Sequence, residues 1–517
     1  MEDETDPRIK ALMRAPLKTL SDTEALGSVA ALIDLAEDAG SEPGLTRAFV
    51  QLKSIERRKP APADQAIIHY FRANGWGVRR RIRTKPGPRQ WEQPERADQI
   101  LELFRARHHE GFPALPKVRR CQILTNLGIM FNEVGRFIEA IELWDEALAI
   151  LPKFGMALGS RGSGFKYYGL ASADGYDREI LLLAAHRAYA STANGVLWDG
   201  HNGRNARRFF AARASEIAER LDLEAIAADY KPDEPPLGRS RQEQSYRRWA
   251  LRHRLFLNPL NDCGANPVAA SDHLMLPPLT VDLETSGPPP VIGLFNQMKQ
   301  EYAFARLLLY EGTQDDGVHF ADRRVELSDT LDYPRYSIAA EKTRTAFRLA
   351  YSLLDKVGYF VNAYWQLETE NHRVGFRSVW YTEGDVSLGL HKTFRDYENW
   401  PLHGLFWLSK DLFDDHFQRV TTPDAREIFI IRNHLEHKYL QLHEMIIGEP
   451  ASGALGMPIS EHAFATKALR LLKMARAALI YLPLAVHREE VRRKKQSLPG
   501  RVGRISLQRY GDRRKGG

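Results

Sequence analysis

The sequence predicts an all-α protein, in which an N-terminal series of paired helices precedes a C-terminal helical bundle. Three observations carry this. Apolar residues recur at spacings of three and four along most of the chain, the stripe by which a helix buries one face. Between Leu127 and Pro152, small and aromatic residues fall at the intervals of closely packed helix pairs. Residues 291–487 contain no convincing strand alternation.

Residues 1–63 read as short helices, with Ala25 to Ala36 the clearest, closed by the Lys59-Pro60-Ala61-Pro62 break. Residues 64–230 are expected to form repeats. Helices are predicted over 64–78, containing Ile67, Ile68, Tyr70 and Phe71, and over 94–107, containing Ile100, Leu101, Leu103 and Phe104. Between them lie the basic cluster Arg79 to Lys85 and a Pro86-Gly87-Pro88 loop. Leu127, Gly128, Phe131, Ala140, Trp144, Ala147 and Pro152 match the spacing of a tetratricopeptide repeat. Gly128, Ala140 and Ala147 would let the paired helices approach, Leu124, Phe131 and Trp144 would fill the space between them, Gly135 would turn the chain and Pro152 would end the second helix. Leu158, Gly162 and Phe165 echo the first helix one period later, and Ile180 to Tyr189 supplies its partner. About three pairs are expected over 64–195, stacked into a concave surface of the kind that binds a peptide or protein. A purely structural solenoid is the alternative.

A further helix is predicted over Asn205 to Leu223. Residues 231–290 form a linker and docking segment, with the apolar run Trp249 to Asp262 inside it and Ser286-Gly287-Pro288-Pro289-Pro290 as its boundary. Five helices follow in the bundle, residues 291–487: Val291 to Glu311, Ile338 to Trp365, Leu402 to Phe413, one starting at Thr422-Pro423 and stopped by Gly448 and Pro450, and Glu461 to Leu482. The aromatics Trp380, Tyr381 and Trp400 read as core, with base stacking as the sharper alternative.

The net charge of +7 is unevenly placed. From His487 onward eleven Lys/Arg face three acids, a local +8, which leaves −1 for the other 486 residues. The tail, residues 488–517, reads as a disordered basic extension or a phosphate contact. Cys121 and Cys263 lack metal-ligand spacing and read as reduced thiols. The acidic start Met1-Glu2-Asp3-Glu4 has no apolar signal region, and the run Ala477 to Val486 is too short for a membrane span. A cytoplasmic location without membrane contact is the expectation.

The helix starting at Thr422 carries the residues of most interest. Ile428, Ile431, Leu435, Tyr439, Leu442 and Ile446 form its core stripe, while Phe429, Ile430 and Leu440 make a second apolar side holding Asn433 and His437, with Arg432 at its edge. A helix apolar on two sides is usually buried on two sides. Arg432 and Glu436 are also spaced for an ordinary helix ion pair, and His437 for a satisfied interface histidine. His434, His437 and His443 lack the carboxylate pattern of a zinc site, and no glycine-rich phosphate loop precedes a helix, so no metal and no cofactor are expected.

The run Arg432-Asn433-His434-Leu435-Glu436-His437, with Gly404 to Leu412 before it, Leu257 to Asp262, and Leu294 to Ala303, resembles the LA2681-like HEPN proteins of bacteria over residues 64–485. That resemblance implies a metal-independent endoribonuclease whose shared cleft forms between two protomers, with Arg432, Asn433 and His437 as its catalytic residues. It further implies an RNA substrate, a homodimer, and a role in antiviral defence or growth arrest with the repeats as sensor. The chemistry suits these residue types. RNA supplies its own 2′-hydroxyl nucleophile, histidine moves protons near neutrality, and arginine holds phosphate oxygens. Asn433 is placed to orient His437 one turn on. The other reading is a catalytically silent adaptor, binding a protein through its repeats and RNA or protein through the bundle.

Overall fold

The computed structural model describes residues 6–84, 91–193, 195–198, 203–282, 288–314, 317–395, 397–416, 419–444, 455–495, 502–509, 512 and 515. Among them are eighteen α-helices and four short strands, so the protein is all-α. The chain divides into two compact units, the first made of Met1–Phe165, Ala185–Arg220 and Phe417–Ala425, the second of the remainder.

The first unit contains α1 (Pro7–Arg14), α2 (Asp22–Asp38), α3 (Glu42–Glu56), α4 (Pro62–Arg83), α5 (Pro94–His108), α6 (Lys117–Glu133) and α7 (Phe137–Ile150). The chain ranges of the two units divide α8 (Gly155–Ala171) and α9 (Gly175–Ala190) between them, and α10 (Gly203–Ala218) returns to the first. Helix α2 starts on a reciprocal cap: Ser21 Oγ accepts the Glu24 N–H, and the Glu24 carboxylate accepts the Ser21 N–H. Helix α4 runs five residues past the expected Val78. The arginines that looked like a loop-side basic cluster form its last turns, where Arg79 and Arg83 pair with Glu42 and Arg81 pairs with Glu37. Cations there also suit the negative end of the helix.

Helices α6 and α7 pair as their small residues demand. A methyl group on Gly128 would lie 2.5 Å from Trp144 Nε1, so the hydrogen is what admits the indole. Trp144 is fully buried and donates Nε1–H to Thr125 O at 3.3 Å. Gly135 makes the turn with φ of 88°, a backbone angle that favours glycine.

The second unit adds α11 (Leu223–Asp229), α12 (Arg241–Arg252), strand β1 (Leu279–Asp282), α13 (Pro290–Gln314), α14 (Ile338–Tyr364), the short α15 (Lys392–Arg395), α16 (Trp400–Ser409) and α17 (Ala425–His437). Strands β2 (Tyr439–His443) and β3 (Gly456–Ser460), α18 (Glu461–Lys495) and β4 (Val502–Ile505) complete it. Its core joins α13 to α14 through Phe295 and Phe360, and α14 to α18 through Phe347 and Phe464. The docking segment is built into this core by buried ion pairs. Arg476 of α18 donates to both carboxylate oxygens of Asp262 at 2.8 and 3.1 Å, and to the carbonyls of Phe256 and Asn258. Arg306 of α13 holds Asp272 in the same two-pronged way, at 2.8 and 2.7 Å.

Several element bounds differ from expectation. Helix α16 starts two residues early, because Asn399 Oδ1 accepts the Leu402 N–H at 3.2 Å, and it stops at Ser409. Helix α18 continues through Pro483 to Lys495 instead of ending at Leu482, with Pro483 itself buried. Part of the basic tail is a strand, β4, antiparallel to β1 with Leu279 opposite Ile505. The largest change concerns α17. It ends at His437, and Tyr439–His443 leaves it as a strand parallel to Gly456–Ser460. The expected stops Gly448 and Pro450, and the stripe residue Ile446, lie outside the described residues.

Candidate active site

Helix α17 is anchored by Ile428, Ile431 and Leu435, all at most 5 % exposed, so its register in the bundle is fixed. Phe429 and Ile430, on the other side, are half-buried, and Phe429 meets Phe413 edge-on at 5.7 Å. Leu440 does not belong to that side. It sits in β2, 3 % exposed, and faces the core. The second apolar surface of α17 is therefore smaller than its helical extrapolation, and consists of Phe429 and Ile430 beside Asn433 and His437.

Arg432 and Asn433 are half-buried and adjacent, and Arg432 Nη1 donates to Asn433 Oδ1 at 3.1 Å. The Arg432 guanidinium lies 5.5 Å from the ring centre of Tyr351. Glu436, spaced to pair with Arg432, lies 3.9 Å from Arg348 instead. Among the described residues Arg432 forms no ion pair within 4.0 Å. It is a cation held by a ring and an amide, with no carboxylate clamping its fork. The sequence expectation set Asn433 against His437; among the described residues its amide oxygen instead accepts from Arg432, and no hydrogen bond joins it to His437.

His437 is exposed at the last position of α17, and its ring has no hydrogen-bond partner among the described residues. His434 is different: its Nδ1 sits 2.8 Å from Ile430 O, a distance that makes Nδ1 the donor and fixes that ring against its own helix. The structure thus brings Arg432 and Asn433 together and leaves His437 apart, five residues on and ~140° around the helix. Among the described residues no three His, Cys, Asp or Glu side chains converge as metal ligands.

Two side chains near Arg432 were missed in the sequence. Tyr351 and Asp355 stand one turn apart on α14. Burial, with Asp355 beside it, pushes the Tyr351 phenol up to about 12, against the pull of Arg432. Burial also raises the Asp355 carboxyl, although the Phe376 N–H and Arg432 oppose it. Arg377, 7 % exposed, is pushed down to about 10 by burial, with Tyr381, Asp414, Asp411 and Tyr351 opposing. The available signal was the row Phe347, Tyr351, Asp355, which sets polar groups immediately beside the apolar stripe of a long helix. Of the aromatics considered for base stacking, Trp380 serves the core, fully buried with Nε1–H donated to Phe376 O, whereas Trp400 is half-buried and packs edge-on against the exposed Tyr167 at 4.3 Å.

The family model described as LA2681-like HEPN matches residues 283–489. Residues 283–489 are an LA2681-like HEPN domain. No curated protein and no solved structure matches the chain. The HEPN domain takes in α13 through most of α18, and with them Arg432, Asn433, His437, Tyr351 and Asp355.

Proposed function

We propose that the HEPN domain is a metal-independent endoribonuclease, and that its working site forms where two copies of α17 meet. The supporting observation is the state of the key side chains. Among the described residues Arg432 is held in place yet carries no carboxylate on its fork, and His437 stands exposed without a side-chain hydrogen-bond partner. Both groups keep donor or acceptor capacity for a phosphate or for a second copy of the helix.

In the proposed reaction the 2′-oxygen of RNA attacks the adjacent phosphorus. The O2′–P bond forms and the P–O5′ bond breaks, while His437 removes the 2′ proton and hands a proton on to the leaving 5′ oxygen. Arg432 balances charge on the non-bridging oxygens as it builds up. The products are a 2′,3′-cyclic phosphate and a 5′-hydroxyl, and no metal takes part. The half-buried Phe429 and Ile430 supply apolar area for the homodimer contact beside the site. The helical repeats before the domain act as its sensor or partner-binding module, in a cytoplasmic antiviral-defence or growth-arrest role.

The adaptor reading keeps one support, the separation of Arg432 and His437 within a single chain. One assay decides between them. Purified protein is incubated with single-stranded RNA in EDTA beside Arg432→Ala and His437→Ala, each checked for unchanged thermal unfolding, and the product ends are identified. Cleavage by the wild type alone, leaving cyclic phosphates, is the expected outcome; equal cleavage by all three proteins refutes the assignment.

A further inference from the structure

The first unit contains a pocket of about 540 Å³ bordered by α2, α4, α5 and α6, remote in sequence from Arg432 and His437. Its floor is Tyr70, Gln99 and Met130, none more than 7 % exposed. Gln99 is seated by close packing, since a methyl group on Gly77 would lie 2.6 Å from its Nε2. Yet Gln99 Oε1 is buried without a hydrogen-bond partner among the described residues. A buried amide oxygen costs about 1–3 kcal/mol when left unsatisfied, so such a group in a pocket wall points to something that binds there.

Two further carboxamides line the same space. Asn126 donates weakly to the Tyr70 hydroxyl at 3.4 Å, and Asn74 has no partner among the described residues. A carboxamide offers a donor and an acceptor side by side, which is the pattern of a peptide unit. The charges are divided. Arg80 shares Glu133 with Arg96, at 3.5 and 3.2 Å, and its Nε is buried without a hydrogen-bond partner among the described residues. Burial holds the Arg80 guanidinium below its ordinary range despite Glu133. At the rim Asp34 is exposed and forms no ion pair among the described residues. Its carboxyl is raised by partial burial and by Glu37 and Asp38.

We propose that this pocket binds an extended peptide segment of a partner protein, its main chain held by Asn74, Gln99 and Asn126, an acidic residue on Arg80 and a basic residue at Asp34. This deepens the partner-binding role proposed for the repeats and is tested apart from RNA cleavage. The pocket volume lies within the range of specific ligand sites, and an acceptor-poor arginine and a cation-poor aspartate in one cleft call for a ligand carrying both charges.

The test is fluorescence polarisation on the full chain with labelled, end-blocked decapeptides of Gln, Ser and Ala. They carry one Glu and one Lys at separations of about two to six residues, which span the cleft in extended form. Glu-only, Lys-only and uncharged peptides and a short single-stranded RNA complete the panel. A doubly charged peptide should bind best at one spacing. Asn74→Ala should weaken it by about tenfold, the loss of one to two hydrogen bonds. Asp34→Asn should remove the advantage of the lysine alone, with thermal unfolding and RNA cleavage as in the wild type. Equal binding of all peptides, binding of none, or doubly charged binding unmoved by both variants overturns the proposal. Displacement of every peptide by the RNA would make the pocket a nucleic-acid site and overturn it equally. Equal RNA cleavage by the wild type, Arg432→Ala and His437→Ala, with peptide binding intact, would refute the nuclease reading and leave this one standing.

Discussion

If the nuclease site is shared between two chains, inactive variants should rescue each other. Arg432 and His437 are separated by ~7.5 Å along α17 and ~140° around it, so one chain's arginine and its own histidine face different ways. The geometry suits a site in which Arg432 comes from one protomer and His437 from the other. Each single variant, Arg432→Ala or His437→Ala, should lose about 10²–10⁴-fold, the usual contribution of a positioned proton-transfer group or its charge partner. Co-expressed with different tags and mixed at random, the two variants form half heterodimers. Each heterodimer has one site with both residues intact and one with neither, so the purified heterodimer should recover about half of wild-type activity, and the random mixture about a quarter, by twofold symmetry. The assay is cleavage of a fluorophore-quencher RNA in EDTA by the doubly purified heterodimer. A heterodimer no more active than the single variants would refute the shared-site argument, and so would a chain that remains monomeric in sedimentation at high concentration.

Gly128→Ala should destabilise the protein by up to about 2 kcal/mol: an overpacking cost of about 1–3 against Trp144, less about 1 gained in helix propensity. Gly27→Ala, whose added methyl meets nothing within 4 Å, should instead stabilise by up to about 1 kcal/mol; opposite shifts in urea midpoint are the check. Asp262→Ala should cost about 3–5 kcal/mol by stranding buried Arg476, and Asp262→Leu with Arg476→Met should recover most of it. A single-variant loss under about 1 kcal/mol would remove the pair from the core's essentials. For Glu102, burial raises the carboxyl, but the hydrogen bond to His69 and the charges of Arg72, His69 and Arg105 outweigh it and hold it below its ordinary range. Its contribution is therefore present above about pH 4.5 and is lost as pH falls through its folded value. Glu102→Gln should be less stable than wild type near pH 6, and the gap should close between pH 5 and 3 in thermal unfolding.

How much could be read beforehand depended on how local each signal was. The approach of Gly128 to Trp144 is written in two residues sixteen apart on neighbouring helices, and it was legible. The long stripes of α13 and α14 fixed those helices to within a few residues. The end of α17 was not legible, because Leu435, Tyr439 and Leu442 satisfy helical spacing while Leu440 and Leu442 also alternate as a strand does. Only the strand pattern is used: Leu440 and Leu442 are buried, and Tyr439, Gln441 and His443 are half-exposed. What decides between the two is Gly456–Ser460, too far along the chain for any local window. The pairing of β1 with β4 spans more than two hundred residues and left no local trace. At the site, the residue types Arg432, Asn433 and His437 stood out, but the direction of the Asn433 amide depended on the packing of α17 against α14.

The buried pairs Arg476–Asp262 and Arg306–Asp272 bear on where the HEPN domain can be cut from its chain. The matched region begins at residue 283, so a fragment with that boundary keeps both arginines and discards both carboxylates. Two stranded interior charges, at about 3–5 kcal/mol each, rival the entire stability of an ordinary domain, about 5–15 kcal/mol. The smallest piece able to fold as a HEPN module therefore starts upstream of Leu255, and a shorter excision that proved inactive would say nothing about catalysis.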